Sequence, residues 1–545
     1  MRKTNLICLF FLFWFMTISF ISNGQVPDEA PKTTTSTAED TARLVEILEA
    51  RKLEIRKIND STQLQILAGN VRLRQGNSLF FCDSCVINNE ARIFEAFGRV
   101  HIKDADTADV YSDHLRYLID KKIAYLNGNV KLTDRKGTLT TSSLEYDINT
   151  KIGIYTKGGR VTNKKTVLTS QEGFYYTDLK DVYFKKDVEL NDSAYYLKTD
   201  SLLYNTETET ARFIAYTFIR DSSGREIETT DGFYNLKTGK AEFGRRPFIK
   251  DGRRTIRADK VALNDSLGIS QAEGNVVIID SAQNTIVIAG QVFNNNKLGT
   301  MLATRKPLMI IKQDKDSIYI TADTLFSARL SDLNSSKDSI AKDTVKGVQV
   351  INTNEKDSTN RYFEAFRNVR IFSDSLQAVS DSMFYSFRDS IFRLYDDPIV
   401  WSNKSQITGD TILLFTKNKK ADHLKVWENS FMISKLDEEI FNQVKATNME
   451  GYFNEGVLDS VRAKGSAQTI YFIQEEDSSY SGINESASNA LDLYFKEKEL
   501  QKVVFRSAVT GTIWPISQKD PREMRLQNFN WHESRRPKTK EEMFE

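Results

Sequence analysis

The sequence has few of the residues that bind metals or form disulfides, with 3 cysteines and 4 histidines among 545 residues. Cys8 belongs to an N-terminal apolar run, so Cys82 and Cys85 are the internal pair. Structural zinc sites need four ligands, and the histidines are scattered without ligand spacing. We therefore predict no metal site and no cofactor. Because residues three apart on a strand face opposite sides, we expect Cys85 to be a buried thiol and Cys82 its exposed neighbour.

An excess of positive charge is also absent. The 75 Lys and Arg residues balance 74 Asp and Glu residues, which leaves a net charge of +1 and argues against nucleic acid as a partner. The sequence has no nucleophile elbow, zinc-protease motif, phosphate-binding loop or dinucleotide fingerprint. We therefore predict no catalytic residues and no enzymatic activity. A polysaccharide-active β-helix enzyme is the alternative, although its paired carboxylates should form one constellation and not a regular row.

The N-terminus carries an export signal. Arg2 and Lys3 precede an apolar run over residues 6–21, which ends in a short polar stretch. This pattern predicts a signal peptide over residues 1–24 and an exported protein. The run is shorter than the roughly 20 residues of a bilayer span, and an uncleaved anchor is the alternative. Residues 25–42 have the composition of a flexible linker.

Proline is scarce as well, with 8 residues, which suits long unbroken sheets. Two motifs recur with a period of about 30 residues. The first places a polar residue, or glycine at position 290, two positions before an apolar one and often four before a tyrosine, starting at residues 83, 113, 142, 172, 200, 231, 259, 290, 323, 381 and 410. The second lies half a period away and reads Gly-Asn-Val or Gly-Arg-Val, starting at residues 69, 98, 128, 159 and 274.

Apolar and polar residues alternate between these motifs, and a period of two predicts strands. Each unit therefore supplies about two short strands, and the predicted fold is an all-β, elongated, solenoid-like stack. Residues 44–56 have a helical composition, but their alternation fits the same frame, so we predict a first strand there. The predicted stack covers residues 43–326 and, less regularly, 361–514. A polar insertion over 327–360 separates the two parts, and 515–545 form a polar cap or tail.

The repeated apolar residues predict a continuous strip along one face of the stack. Such a strip either packs as a core, as any β-solenoid requires, or shelters the acyl chains of a lipid. The inward candidates are Val71, Leu73, Leu115, Tyr117, Val130, Leu132, Leu144, Tyr146, Val161, Phe174, Leu202, Tyr204, Val276 and Ile278.

The Gly-Asn-Val strand starts, the interleaved Asp-x-Leu-x-Tyr motif, the period and the export signal together resemble the OstA-like family of lipopolysaccharide transport proteins. This family includes the periplasmic LptA-type bridge and the N-terminal domain of the LptD-type translocon. The resemblance implies a twisted, U-shaped β-jellyroll in the periplasm whose apolar groove holds lipopolysaccharide or a related glycolipid. It also implies edge-to-edge contacts with other jellyroll modules and with the outer-membrane translocon.

The resemblance thus favours lipid transport in outer-membrane assembly over packing alone. Basic pairs near the predicted turns, such as Lys121-Lys122 and Arg253-Arg254, suit lipid A phosphates or else keep the strand edges solvated. The alternative function is an exported scaffold or adhesin without a lipid ligand.

Overall fold

A computed structural model of the protein describes residues 44–59, 62–313, 317–333, 360–417, 420–475 and 479–544. The predicted signal peptide, the linker and most of the predicted insertion lie outside these residues. The described chain is built from strands, with a helical turn at residues 330–333 and three short 3₁₀ helices near its end, so the all-β prediction is confirmed. The predicted first strand at residues 44–56 is present as two short strands despite its helical composition.

The first part of the stack contains strands β1 (Glu46–Glu49), β2 (Lys52–Lys57), β3 (Gln63–Gln75), β4 (Ser78–Asn88), β5 (Ile93–Asp104), β6 (Ala108–Leu118), β7 (Ile123–Thr133), β8 (Thr138–Asp147), β9 (Ile152–Tyr155), β10 (Gly159–Asn163), β11 (Thr166–Ser170), β12 (Glu172–Tyr176), β13 (Asp181–Asn191), β14 (Tyr195–Asn205), β15 (Thr210–Phe213), β16 (Thr217–Asp221), β17 (Glu226–Thr229), β18 (Gly232–Asn235), β19 (Lys240–Phe243) and β20 (Phe248–Asp251).

The second part contains β21 (Arg254–Arg257), β22 (Lys260–Asn264), β23 (Ile269–Asp280), β24 (Thr285–Asn295), β25 (Thr300–Thr304), β26 (Leu308–Ile311), β27 (Ile318–Thr321), β28 (Thr324–Arg329), β29 (Arg361–Phe372), β30 (Gln377–Ser386), β31 (Ile391–Tyr395), β32 (Ile399–Ser402), β33 (Ser405–Thr408), β34 (Thr411–Lys417), β35 (Lys420–Lys435), β36 (Phe441–Asn454), β37 (Val457–Gln474), β38 (Tyr480–Lys496), β39 (Glu499–Arg506) and β40 (Thr510–Pro515). The 3₁₀ helices are η1 (Ile516–Gln518), η2 (Glu533–Arg535) and η3 (Glu541–Met543).

The strands form an antiparallel meander that is folded lengthwise. Strands β5, β6 and β7 pair in sequence, and each pairing shifts register near its middle, as between Phe97 and Val100. A shift of this kind is a β-bulge, which bends a strand. Each long strand therefore crosses from a first sheet, next to the turns at 76–77, 105–107 and 134–137, into a second sheet, next to the turns at 89–92, 119–122 and 148–151. We call the row of bulges the bend line.

The two sequence motifs meet at the bend line. Gly128 and Asn129 both have positive φ, at 76° and 44°, and the Asn129 side-chain amide donates to the Asp113 carboxylate at 2.8 Å. A Cβ atom at Gly128 would lie 2.6 Å from the same carboxylate, so glycine is needed for space as well as for backbone conformation. Asn275 repeats the contact with Asp259 at 2.8 Å. Asp113 and Asp259 therefore stabilise bends in the sheet.

Both cysteines are buried, which corrects one prediction. Cys85 is 0% exposed and Cys82 is 7% exposed. The pairing of β4 with β5 shifts register between Phe81 and Ser84, so the simple alternation across the pair is broken. The prediction that Cys82 is exposed is therefore wrong. A hydrogen bond with Cys82, and then burial, raise the pKa of the Cys85 thiol, so it stays protonated.

The C-terminal segment, residues 516–544, runs back along the outer face of the first sheet. Buried glutamines hold its backbone: Gln443 donates to the Met524 carbonyl and accepts from the Leu526 amide, both at 2.8 Å. Gln406 donates to the Asn530 carbonyl at 2.8 Å in the same way. These bonds satisfy polar groups that the segment covers.

Candidate functional site

The predicted apolar ladder lies inside the folded meander. Thirteen of its fourteen members are no more than 5% exposed and belong to one continuous core. Leu115 and Leu144 come from the second sheet, whereas Val130 and Leu132 come from the first, on the other side of the bend line. The core is therefore shared by both sheets. The other buried members are Val71, Leu73, Tyr117, Tyr146, Val161, Leu202, Tyr204, Val276 and Ile278.

Phe174 is the exception, and its predicted inward orientation is wrong. Its ring is only partly buried and stacks on Tyr183 on the outer face, at a centroid distance of 6.1 Å. Tyr175, which is 0% exposed, takes the inward place. The polar residue at this bend is Gln171, which bonds to Asp187, and not Glu172. The frame that aligned Glu172 with the other units was thus displaced by one residue, which exchanges the two faces of a strand.

The two sheets meet again along a line opposite the bend line. The first rim consists of the turns of the first sheet and the strand ends beside them, and the second rim is the equivalent part of the second sheet. We call the line where the rims meet the seam. The contacts described next cross it between residues about 40 to 47 positions apart in the sequence, so local patterns carry no signal for them.

Polar side chains close the seam. The Tyr117 hydroxyl donates to Gln75 Oε1 at 2.6 Å, and Gln75 Nε2 donates to the Ile119 carbonyl at 3.1 Å. One unit further, the Asp104 carboxylate accepts from the Tyr146 hydroxyl at 2.7 Å and from Lys151. Burial, and then the charge of Asp104, raise the pKa values of both tyrosines. Their hydroxyls are therefore protonated donors at neutral pH.

The same arrangement continues along the stack. Lys180 lies 3.7 Å from Asp134 across the seam, and the Asn163 side-chain amide donates to the Thr206 carbonyl at 2.6 Å. Further on, Arg225 donates to Asp265 at 2.9 Å. Each of these seam contacts involves a side chain, so the two rims are held together without a backbone ladder. The open groove that the family resemblance implies is closed by side chains in this structure.

The described residues contain no group of three or more His, Cys, Asp or Glu side chains that could hold a metal ion. Across the same part of the chain, no helix has the length and apolar character needed to span a membrane. A concave pocket of about 540 Å³ lies on the outer face of the second sheet and is lined in part by Leu179, Arg212 and Ile214. Sequence reasoning did not identify this pocket or the seam.

The fold and site define an all-β stack with a continuous apolar interior, bent along one side and closed by side chains along the other. Residues 42–200 match the sequence model of the OstA-like protein family. This segment contains the bend-line motifs and the first seam contacts, and the predicted OstA-like resemblance is confirmed for it.

Other comparisons are weaker. No curated protein shows a significant sequence match to the chain. A solved structure of LptH from Pseudomonas aeruginosa, described as the LptA homologous periplasmic component of the lipopolysaccharide transport device, is 12% identical. The match covers 26% of this chain and 82% of that chain, with a TM-score of 0.18.

Proposed function

We propose that the protein binds lipopolysaccharide or a related glycolipid in the periplasm and carries it toward the outer membrane. The observation that carries this proposal is the OstA-like match over residues 42–200, where the apolar interior is bounded by a seam of side chains. The acyl chains would lie between the two sheets while the sugars stay in water. The proposal needs no cofactor and no catalytic residue.

The seam supplies a physical route for the lipid. Separating two rims that are held by side chains breaks few bonds, whereas the chain itself joins the sheets at the bend line. Burial of acyl chains is favourable by about 0.8 kcal/mol per methylene, which offsets the lost seam contacts. The sheets would therefore part at the seam and turn about the bend line.

The ends of the stack suit contacts with related modules. Strands β1 and β2 pair only with β3, and β39 and β40 pair only with β38, so both ends present an unpaired strand edge within the described residues. At the first end, Leu53 and Ile55 are 53% and 62% exposed. Strand addition at such edges would join the protein to other jellyroll modules and to an outer-membrane translocon. Directionality would come from an ATP-driven partner.

A scaffold or adhesin without a lipid ligand is the second candidate. The observation that favours it is the close packing of the interior, where the thirteen buried ladder residues are no more than 5% exposed. A stack of this kind is stable without any ligand.

Site-specific photo-crosslinking separates the two functions. Photoreactive amino acids are placed in the full chain at the inward positions Leu115, Leu144 and Leu202, and at the outward neighbours Arg116 and Glu145 as matched controls. In cells that make lipopolysaccharide, lipid transport predicts crosslinks to the lipid from inward positions only. Crosslinks from neither set, or equally from both, would contradict a binding site between the sheets.

A further inference from the structure

The composition of the seam changes near the end of β28. Where Asp104 and Asp134 face lysines of the second rim, Arg254 of the first rim faces Arg361 of the second. A cavity of about 40 Å³ lies between the rims at this point and is lined by both arginines, Asp280 and Ser327. Positive charge therefore occurs on both sides of the seam here.

The hydrogen bonds of Arg361 leave part of its guanidinium group available. Nη2 donates to the Gly299 carbonyl at 3.2 Å and to Ser327 Oγ at 3.1 Å. Both bonds come from the same nitrogen, and among the described residues no carboxylate oxygen forms an ion pair with Arg361 within 4.0 Å. Within the described part of the chain, Nη1 and Nε have no hydrogen-bond acceptor, so both can donate to a ligand in the cavity.

Asp280 pairs with Arg254 and not with Arg361. Its Oδ2 accepts from Arg254 Nε at 2.8 Å, and its Oδ1 accepts from the amides of Ala282 and Gln283 at 2.9 and 3.3 Å. A third arginine adds to the positive charge: an added Cβ atom at Gly299 would lie 2.5 Å from Arg329 Nε, which places Arg329 beside the Arg361 contact.

The local field is positive at neutral pH. Burial, together with the charges of Arg254 and Arg329, lowers the pKa of Arg361 to about 10, against the opposing effects of Asp280 and Asp332. The guanidinium group is still protonated at pH 7. A partly buried cation with cationic neighbours is stabilised by an anion.

We propose that Arg254 and Arg361 form an anion site across the seam that takes the phosphate monoester group of a bound amphiphile. The site rests on the proposed lipid function and specifies where the charged headgroup is held. Guanidinium groups bind phosphate through paired hydrogen bonds, and the cavity holds roughly three water-sized atoms, which matches the terminal oxygens of a phosphate group. An anion here would join the two rims after the acyl chains have entered.

Binding measurements with two lipids test the site. The full chain is titrated with phosphorylated lipid A, with its dephosphorylated form and with inorganic phosphate. Arg361→Gln should weaken binding of phosphorylated lipid A about 10-fold and leave the dephosphorylated form unchanged, with Arg361→Lys between them. Arg220→Gln, which removes a surface ion pair with Glu226, is the matched control and should change neither affinity.

The outcomes are distinguishable. If the wild type binds neither lipid, the proposed function fails and the anion site fails with it. If the wild type binds both lipids equally, or if Arg361→Gln weakens both to the same degree, lipid binding stands and the anion site is contradicted. If Arg361→Gln abolishes binding of inorganic phosphate while the two lipids bind alike, the arginines hold free phosphate and not a lipid headgroup, which also contradicts the proposed site.

Discussion

Single residues at the bend line explain why two motifs half a period apart recur together. An aspartate on one strand accepts a hydrogen bond from the asparagine or arginine that follows glycine on the next strand, 16 positions later. Asn129 donates to Asp113 in this way, and Arg99 donates to Asp83. The glycine leaves space for the carboxylate and allows positive φ. A row of carboxylates in this role is structural, which accounts for its regular spacing.

The bend line predicts an unequal cost for two glycine substitutions. Gly128→Ala combines positive φ with a close approach to Asp113 and should destabilise β6 and β7 by about 2 kcal/mol. Gly252→Ala is the matched control, because Gly252 also has positive φ but no neighbouring atom within 4 Å of an added Cβ, and it should cost about 1 kcal/mol. Hydrogen exchange measured strand by strand gives both values. Equal costs would show that the aspartate contact is unimportant.

The corrected orientation at β12 gives a second prediction. Tyr175→Ala removes a fully buried ring and should destabilise the surrounding strands by about 3 to 5 kcal/mol. Phe174→Ala removes a ring from the outer face and should cost about 1 kcal/mol or less. Thermal unfolding together with hydrogen exchange of β12 and β13 provides the comparison. A larger loss of stability in Phe174→Ala than in Tyr175→Ala would show that Phe174, and not Tyr175, points into the core.

At the scale of strands and sheets, alternation was enough to predict the all-β fold and the first strand at residues 44–56. It was not enough at the bulges, because one inserted residue exchanges the inward and outward faces, as at Cys82 and Phe174. The seam could not be predicted either. Its partners, such as Gln75 with Tyr117, lie 42 positions apart and depend on the sheets being folded onto each other.

Closure of the seam by side chains predicts that a covalent bridge across it will hinder lipid loading. Lys136 of the first rim and Glu207 of the second are exposed, and the Lys136 Nζ lies 3.7 Å from the Glu207 Oε1. A short bifunctional thiol reagent is used to join Lys136→Cys to Glu207→Cys. The bridge should lower the yield of lipid crosslinks from a photoreactive amino acid at Leu144, because the rims can no longer part. The native Cys82 and Cys85 are buried and should not react.

The control bridge joins two turns of the same rim. The Arg135 Nη2 lies 3.4 Å from the Asp106 Oδ1, and both residues belong to the first rim. A bridge between Arg135→Cys and Asp106→Cys therefore leaves the seam free to open. Loading should match that of the unbridged protein. Equal loading in both bridged proteins would mean that the lipid enters by another route, such as the ends of the stack.

At the scale of the whole molecule, the stack is long and unpaired at both described ends, and residues 516–544 cover the outer face of the first sheet between about β26 and β38. The buried glutamines Gln406 and Gln443 fix this covering segment. The end edges and the interior are the surfaces that a transport function would use, whereas the covered face is already occupied. This division assigns partners to the ends and lipid to the interior.

The most direct measurement is native mass spectrometry of the mature protein purified gently from a Gram-negative periplasm, with extraction and identification of any bound lipid. A lipid carrier with the proposed anion site should retain phosphorylated lipid A species, which are released when the chain unfolds. A protein that is free of lipid and does not take up added lipopolysaccharide would contradict the transport function and leave a packed β-stack that serves as a scaffold.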